Sequence, residues 1–382
     1  MATAQPTHPI QITPVESTRD LKQFIRLPHA IYAERAEWRA PLHLERRMHL
    51  SEKQNPAFEH LEWQAWLAWR GDAPVGRITA QIDRLRQTEH GDHVGYFGML
   101  EAFDDPAIFA GLLTTAESWL AERGMQAVHG PFNLTINEEC GILIEGFDTP
   151  PMMMMPHGRE YYAPRVESEG YDKAVDMLAY WIDLDFAHPA PMRRLLERYA
   201  PRMQIRPIDR SRYAEELETL RDIFNDAWSN NWGFVPFTEA EFQDMGNTLK
   251  LLIADDLVQI AEVDGQPAAF IVGLPNLNEA ARDLNGRLSP LGLAKLIWRL
   301  KLRSPESSRV PLMGVRTAYQ DGPLGAALAF GVIAALQTNL RKYGMASCEL
   351  SWILEGNKGM RDIIERLGAY PYKTYRIYQK TL

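Results

Sequence analysis

Cysteine is scarce: Cys140 and Cys348 are the only two in 382 residues, and they lie far apart. That excludes a disulfide framework and a paired-cysteine metal site, and it sets the expectation of a reducing compartment. No HExxH or EF-hand spacing occurs, so no metal is expected. No G-x-S-x-G elbow occurs, which leaves a hydrolase triad unsupported. No apolar run reaches the about 18 residues of a membrane-spanning helix. Residues 1–14 have neither a charged n-region nor an apolar h-region, and the expected location is the cytoplasm. Positive charge is in deficit as well. Lys and Arg number 41 against 50 Asp and Glu, a net charge of −9, which argues against a nucleic-acid partner. What is present, 46% hydrophobic and 24% charged residues, fits a soluble globular chain long enough for two domains.

The second half alternates strand and helix signals. Residues 203–208 alternate as a strand, 213–228 carry helical spacing, and Thr238 is placed to cap the next helix. Asp264-Gly265 joins two strand-like runs as a hairpin. After another β-rich run comes a glycine turn and a helix apolar almost all round, ending at Lys342 and Gly344. A strand, a short helix and a tyrosine-rich strand close the chain. The order β-α-α-β-β-β-α-β-α-β predicts an α/β fold, a mixed sheet with helices on its faces. The first half repeats this order faintly. Pro28 is expected to disturb its first helix, and Asp105-Pro106 to cap and open a later one. Two copies of one unit follow, over 1–190 and 200–382. Each carries an insertion where function tends to sit, within 124–170 and 278–304.

The turn "YQDGPLGAAL" at 319–328 opens the long apolar helix with little side chain. The first amides of a helix lack partners, and that end is partly positive, so such a turn can hold an anion. Pro323 has no N–H. Leu324, Gly325 and Ala326 are the expected donors. A plain turn is the alternative.

A strand, this Q-x-x-G-x-G/A-like turn, a long helix, a strand, an Asn, a short helix ending in Gly and a last strand together resemble the GNAT superfamily of acyl-CoA-dependent N-acyltransferases. The resemblance covers 203–382 and is clearest in 315–368. It implies acyl-CoA as co-substrate and an amine acceptor. It implies that Gln320, Gly322, Leu324, Gly325 and Ala326 cradle the pyrophosphate, and that Asn357 faces the pantetheine arm. Two departures stand out. Asp321 lies inside the anion turn, and Ile364 stands where many members carry a tyrosine acid, leaving Tyr319 or Tyr370 for that role. The first half looks like a degenerate copy, because Asp104 and Asp105 at the matching turn would repel a pyrophosphate.

Acyl transfer needs a group to take a proton from the amine and one to return it to the thiolate. Glu138 and Glu139, beside Asn133 and Asn137, and His157 in "HGREYY" are candidates to line the site. Glu349 and Glu355 flank the strand that follows the long helix. Each alone also fits a solvated or structural carboxylate. Residues 290–304 place Leu293, Leu296, Ile297 and Leu300 on one helical face and Lys295, Arg299 and Arg303 on another. That pattern suits a peripheral membrane contact or a helix packed on its own domain. Met152 to Met155 suit a lipid pocket or core filling. The whole-chain pattern also resembles a group of bacterial proteins that includes bacterial ceramide synthases, which N-acylate a sphingoid base. A Fem-type aminoacyl transferase and a non-catalytic CoA- or lipid-binding protein are the alternatives.

Overall fold

The structure, a computed structural model, describes residues 8–250 and 252–382. Its first elements are strand β1 (Ile10–Pro14), helices α1 (Thr18–Ile31) and α2 (His43–His49), strands β2 (Leu61–Arg70) and β3 (Ala73–Asp83), and helix α3 (Arg84–His90). Then come β4 (Val94–Ala102), α4 (Pro106–Ala121), β5 (Ala127–Gly130), β6 (Ile142–Glu145), α5 (Tyr162–Ser168) and β7 (Asp172–Asp183). The second series is α6 (Ala190–Tyr199), β8 (Met203–Pro207), α7 (Tyr213–Trp228), α8 (Glu239–Lys250), β9 (Val258–Val263) and β10 (Gln266–Pro275). It continues with α9 (Leu277–Ala280), α10 (Pro290–Trp298), β11 (Ser307–Val315), α11 (Thr317–Gln320), α12 (Pro323–Lys342), β12 (Ser347–Leu354), α13 (Lys358–Arg366) and β13 (Tyr370–Thr381).

The chain divides into two compact units. One holds Met1–Met177, Leu284–Leu288 and Lys373–Leu382, the other Leu178–Asp283 and Ser289–Tyr372. A split between 190 and 200 therefore misses an exchange. The chain's last residues pair with the first unit, Tyr378 opposite Gly130 and Thr381 opposite Ala127.

In the first unit the strands run β1-β2-β3-β4-β5, then the C-terminal stretch of β13 and the start of β7. Ile78, Phe97, Phe109, Leu112 and Val128 are among its fully buried core residues. Pro28 does not break α1. It sits inside the helix, and the carbonyl it cannot serve, that of Phe24, accepts a 2.8 Å bond from the buried Arg77 guanidinium instead. A distant donor thus offsets the loss that proline imposes.

In the second unit the end of β7 is followed by β12-β11-β10-β9-β8. Leu328, Val332, Leu336 and Leu340 of α12 enter its core beside Ile271 and Val263. Among the described residues α12 is long and apolar enough by composition to cross a membrane, with a mean hydropathy of 1.4. This differs from the expectation of no such run. Half of that window is buried within the structure, as a core helix requires.

Each unit has a parallel crossover, β4 to β5 and β11 to β12, with α4 or α12 between. The ladder between β11 and β12 covers only Ser307–Val310 against Ser347–Leu350. Both strands continue beyond it, β11 still paired with β10 as far as Val315. They therefore part in mid-strand. In the first unit the ladder stops likewise at Tyr96 and His129, but the chain fills the gap itself. Phe132 N–H donates to the Phe97 carbonyl at 2.8 Å, and the Asn133 side chain accepts from Met99 N–H at 2.8 Å. A Cβ on Gly98 would lie 1.8 Å from the Phe132 oxygen, so glycine there admits the plug.

Candidate functional site

The parting strands of the second unit lead to the N-terminus of α12. Gly322 is its N-cap and Pro323 its first residue, and no side chain caps it. The Gln320 side chain donates to the carbonyls of Val315 at 2.8 Å and Ala227 at 3.3 Å, so it holds the turn. Thr317 anchors α11 through its N–H and hydroxyl to Asp226, at 2.7 and 2.8 Å. Of the three expected donors, Ala326 is spent on the Gly322 carbonyl at 3.3 Å. Leu324 and Gly325 keep the free first-turn amides. Counted from Gln320, the pattern's first glycine position holds Pro323, with Gly322 one residue ahead. Asp321 is exposed beside them.

The two glycines differ in what they admit. A Cβ at Gly325 would stand 2.1 Å from the Tyr319 carbonyl oxygen, whereas one at Gly322 would meet nothing within 4 Å. Gly325 thus serves the passage of the turn, and Gly322 leaves the space before the helix open. Gly325→Ala is expected to lower stability by about 1–3 kcal/mol through overpacking, read as a fall in melting temperature.

The matching end of α4 is closed. The Asp105 carboxylate accepts from Ala107 N–H at 2.8 Å and is ion-paired with Arg70. Its neighbour Asp104 pairs with Arg165 at 2.8 Å. One helix end carries its own anion; the other carries none.

Behind the parting point of the second unit lies a buried polar cluster. Glu349 is fully buried. One of its oxygens accepts from the Ser351 hydroxyl at 2.5 Å, and the other from the Tyr372 hydroxyl. Arg309 Nε donates to Ser351 Oγ at 2.8 Å and lies 3.5 Å from the carboxylate. The Trp181 ring meets Tyr372 edge-on at 5.4 Å. Trp228 Nε1 donates to the Met313 carbonyl at 2.9 Å, and its ring meets Trp352 edge-on. The peptide Ser351-Trp352 is cis. Burial pushes the neighbouring Cys348 thiol up to about 12, which removes it as a nucleophile. Asn357 accepts from Met360 N–H at 3.1 Å and so caps α13. Ile364 is buried in the core, Tyr319 packs half-buried against it, and Tyr370 is exposed. Tyr372, with Arg309 and Ser351, was not singled out from the sequence. Its only signal is the abundance of tyrosine in the last strand.

Glu138 and Glu139 lie in the first unit and are brought together, but in a network that sequence spacing does not reveal. Arg46 bonds Glu139 at 2.7 Å, Asn133 bonds the same carboxylate at 2.8 Å, and His49 Nε2 is 2.9 Å from Glu138. Burial would raise the Glu139 pKa, yet Arg46 and Asn133 outweigh it and hold it at about 2. Burial likewise opposes charge on His49, and Glu138 outweighs it, so that pKa is raised. These are signs of paired structural charges. Glu139→Gln takes from the buried Arg46 its nearest carboxylate, leaving Glu45 at 3.9 Å, and is expected to cost about 3 kcal/mol. Because the folded pKa is depressed, the carboxylate's contribution is present above about pH 4.5 and is lost as pH falls towards 2. Acid melting curves of parent and variant should therefore converge over that window.

His157 is the third first-unit candidate. Burial, then the charge of Lys373, pushes its pKa down to about 4. It is neutral near pH 7, and its Nδ1 is buried without a hydrogen-bond partner. Met152 and Met155 of the methionine run are buried. In 290–304 the basic stripe is altered from expectation, because Lys295 and Arg299 are both ion-paired with Asp283. Of the apolar stripe Leu296 is buried and Leu300 half-buried, whereas Leu293 and Ile297 are exposed beside Leu291 and Trp298. Among the described residues no group of three His, Cys, Asp or Glu is placed to hold a metal.

No protein-family model matches the chain. Protein YghO of Escherichia coli (strain K12) is 51% identical over 366 residues, 95% of this chain and 93% of that protein. A bacterial ceramide synthase of Caulobacter vibrioides is 47% identical over 375 residues, 98% of each. Among solved structures, a tandem GNAT protein from the clavulanic acid biosynthesis pathway matches with a TM-score of 0.55 at 14% identity. That match covers 97% of this chain and 98% of the other, and it concerns the fold alone.

Proposed function

The chain belongs to the family of protein YghO and the bacterial ceramide synthase, with the tandem GNAT fold, and on that premise we propose that it is an acyl-CoA-dependent N-acyltransferase. The acceptor in this reading is a hydrophobic or lipid amine, a sphingoid base first among them. The observation that carries it is the contrast between two helix ends, α4 closed by Asp105 and α12 uncapped at Leu324 and Gly325.

The Leu324 and Gly325 amides hold the CoA diphosphate, which approaches over Gly322. Gln320 fixes the turn, and Ala326 continues the helix behind it. The pantetheine arm enters where β11 and β12 part, and the free amide nitrogen of Asn357 faces it. The neutral amine nitrogen attacks the thioester carbonyl carbon. The C–N bond forms, the C–S bond breaks, and the sulfur leaves as thiolate. Tyr372 gives its hydroxyl proton to that thiolate and regains one from the new amide nitrogen, with Glu349 as its acceptor through the exchange. Tyr319, packed against the core, keeps a shaping role. Glu138 and Glu139 serve the fold of the first unit. His157, in the first unit, is neutral with Nδ1 unpartnered and takes no part in this step.

The test is thiol release. With a long-chain acyl-CoA and a sphingoid base, free CoA thiol and the N-acyl product should appear in equal amounts. Binding of CoA without thiol release, across amines from water-soluble to lipid, would overturn the enzyme reading in favour of a non-catalytic binding protein.

A further inference from the structure

A second feature of the first unit has no place in acyl transfer. A cleft of about 570 Å³ opens between α1 and the start of β3, within the size range of ligand sites. Its apolar wall comes from Leu27, Ala30, Pro74, Val75 and Phe103, and its rim from Arg19, Lys22 and Arg26. The three cations sit at i, i+3 and i+7 of α1, so they share one edge of the helix. All three are exposed; the acidic neighbour on the same turn, Asp20, is bonded to the Ser17 cap, and its carboxylate also feels the Arg19 charge. Phe103 is one of the few exposed large apolar side chains of this unit.

The positive field extends past the cleft. His29 and His43 meet Nε2 to Nε2 at 2.7 Å. Burial and the charges of Arg26 and Arg287 lower both pKa values, and Arg47 adds to the effect on His43. Arg287 belongs to the short segment docked on this unit, where His43 N–H donates to the Gly286 carbonyl at 2.8 Å. Arg26, Arg47 and Arg287 therefore lie close together around the two imidazoles, with Arg19 and Lys22 further along the same edge of α1, in a chain of net charge −9. That placement runs against the bulk charge.

We propose that this cleft and its cationic rim are a docking surface for the anionic phospholipid headgroups of a membrane. Charge complementarity argues for that occupant. Basic side chains along one helix edge attract acidic headgroups, and apolar side chains between them accept the first methylenes of the chains. An acidic protein would satisfy the cations and leave the apolar wall and Phe103 without a role. The surface is independent of the acyltransfer reading, since none of its residues is placed in that site.

The experiment is vesicle flotation of the full chain, with vesicles of phosphatidylcholine alone and with about 30% phosphatidylglycerol. The parent should float with the anionic vesicles only, and less so at about 1 M salt, where screening is strong. The triple variant R19E/K22E/R26E should lose at least about tenfold in partitioning. Phe103→Ser should lower partitioning without changing its salt dependence. All four side chains are exposed, and an unchanged melting temperature and CoA titration establish that each variant is folded. Failure of the parent to float with anionic vesicles overturns the proposal. So does parent-like flotation of the triple variant, which would assign any binding to the apolar face of α10 instead.

Discussion

Gly322→Asp is expected to weaken CoA binding by at least about 100-fold while leaving the protein as stable as the parent or slightly more so. The two effects have one cause. An aspartate at an N-cap accepts from the second or third amide of the helix and favours its positive end. In α12 those amides belong to Leu324 and Gly325. The new carboxylate would occupy what the diphosphate needs and repel it. Replacing glycine by a better cap adds only about 0.3 kcal/mol, so the melting temperature should hold. Nothing steric opposes the change, because Gly322 has φ −157° and ψ 172°, extended backbone open to any residue, and a Cβ there meets no atom within 4 Å. The variant would give α12 the closure that Asp105 gives α4. Gly322→Ala, which adds a methyl and no charge, should bind CoA within about fivefold of the parent. Isothermal titration of the three proteins separates charge from bulk.

Tyr372→Phe is expected to lower kcat by about 100-fold or more with KM nearly unchanged, the usual scale for a lost proton donor. The ring and its contact with Trp181 survive the change, and only the hydroxyl bonded to Glu349 goes. A merely structural hydroxyl would move the melting temperature and leave that split absent. Glu349→Gln should also slow turnover, but with a larger loss of stability, because Arg309 then keeps its charge in a buried cluster without the carboxylate. Single-turnover kinetics with a saturating amine distinguish slowed chemistry from slowed release.

What the sequence revealed was what short stretches decide. The glycine turn, the apolar α12, the cap at Asp105 and the hairpin at Asp264-Gly265 are local, and the structure has each of them. Pro28 misled because its remedy, Arg77, comes from another strand. The plug at Phe132 and Asn133 was invisible for the same reason: two strands must part before a loop can fill the gap. Strand spacing puts Glu349 and Ser351 on one face of β12, but Arg309 and Tyr372 come to them from β11 and β13, and no spacing links those. Arg46 and His49 reach Glu139 and Glu138 from α2, contacts that the expectation of a site-lining group with His157 did not include. Gly325, read as a ligand-facing glycine, is required by the Tyr319 carbonyl, while the open position belongs to Gly322.

The most direct measurement is a structure of the full chain with CoA bound. Diphosphate oxygens within hydrogen-bond distance, about 2.7–3.2 Å, of the Leu324 and Gly325 nitrogens are the expected result, with the pantetheine arm between β11 and β12 past Val310 and Leu350. A diphosphate held anywhere else, or a turn kept empty with the Asp321 carboxylate folded onto those two amides, would contradict the assignment.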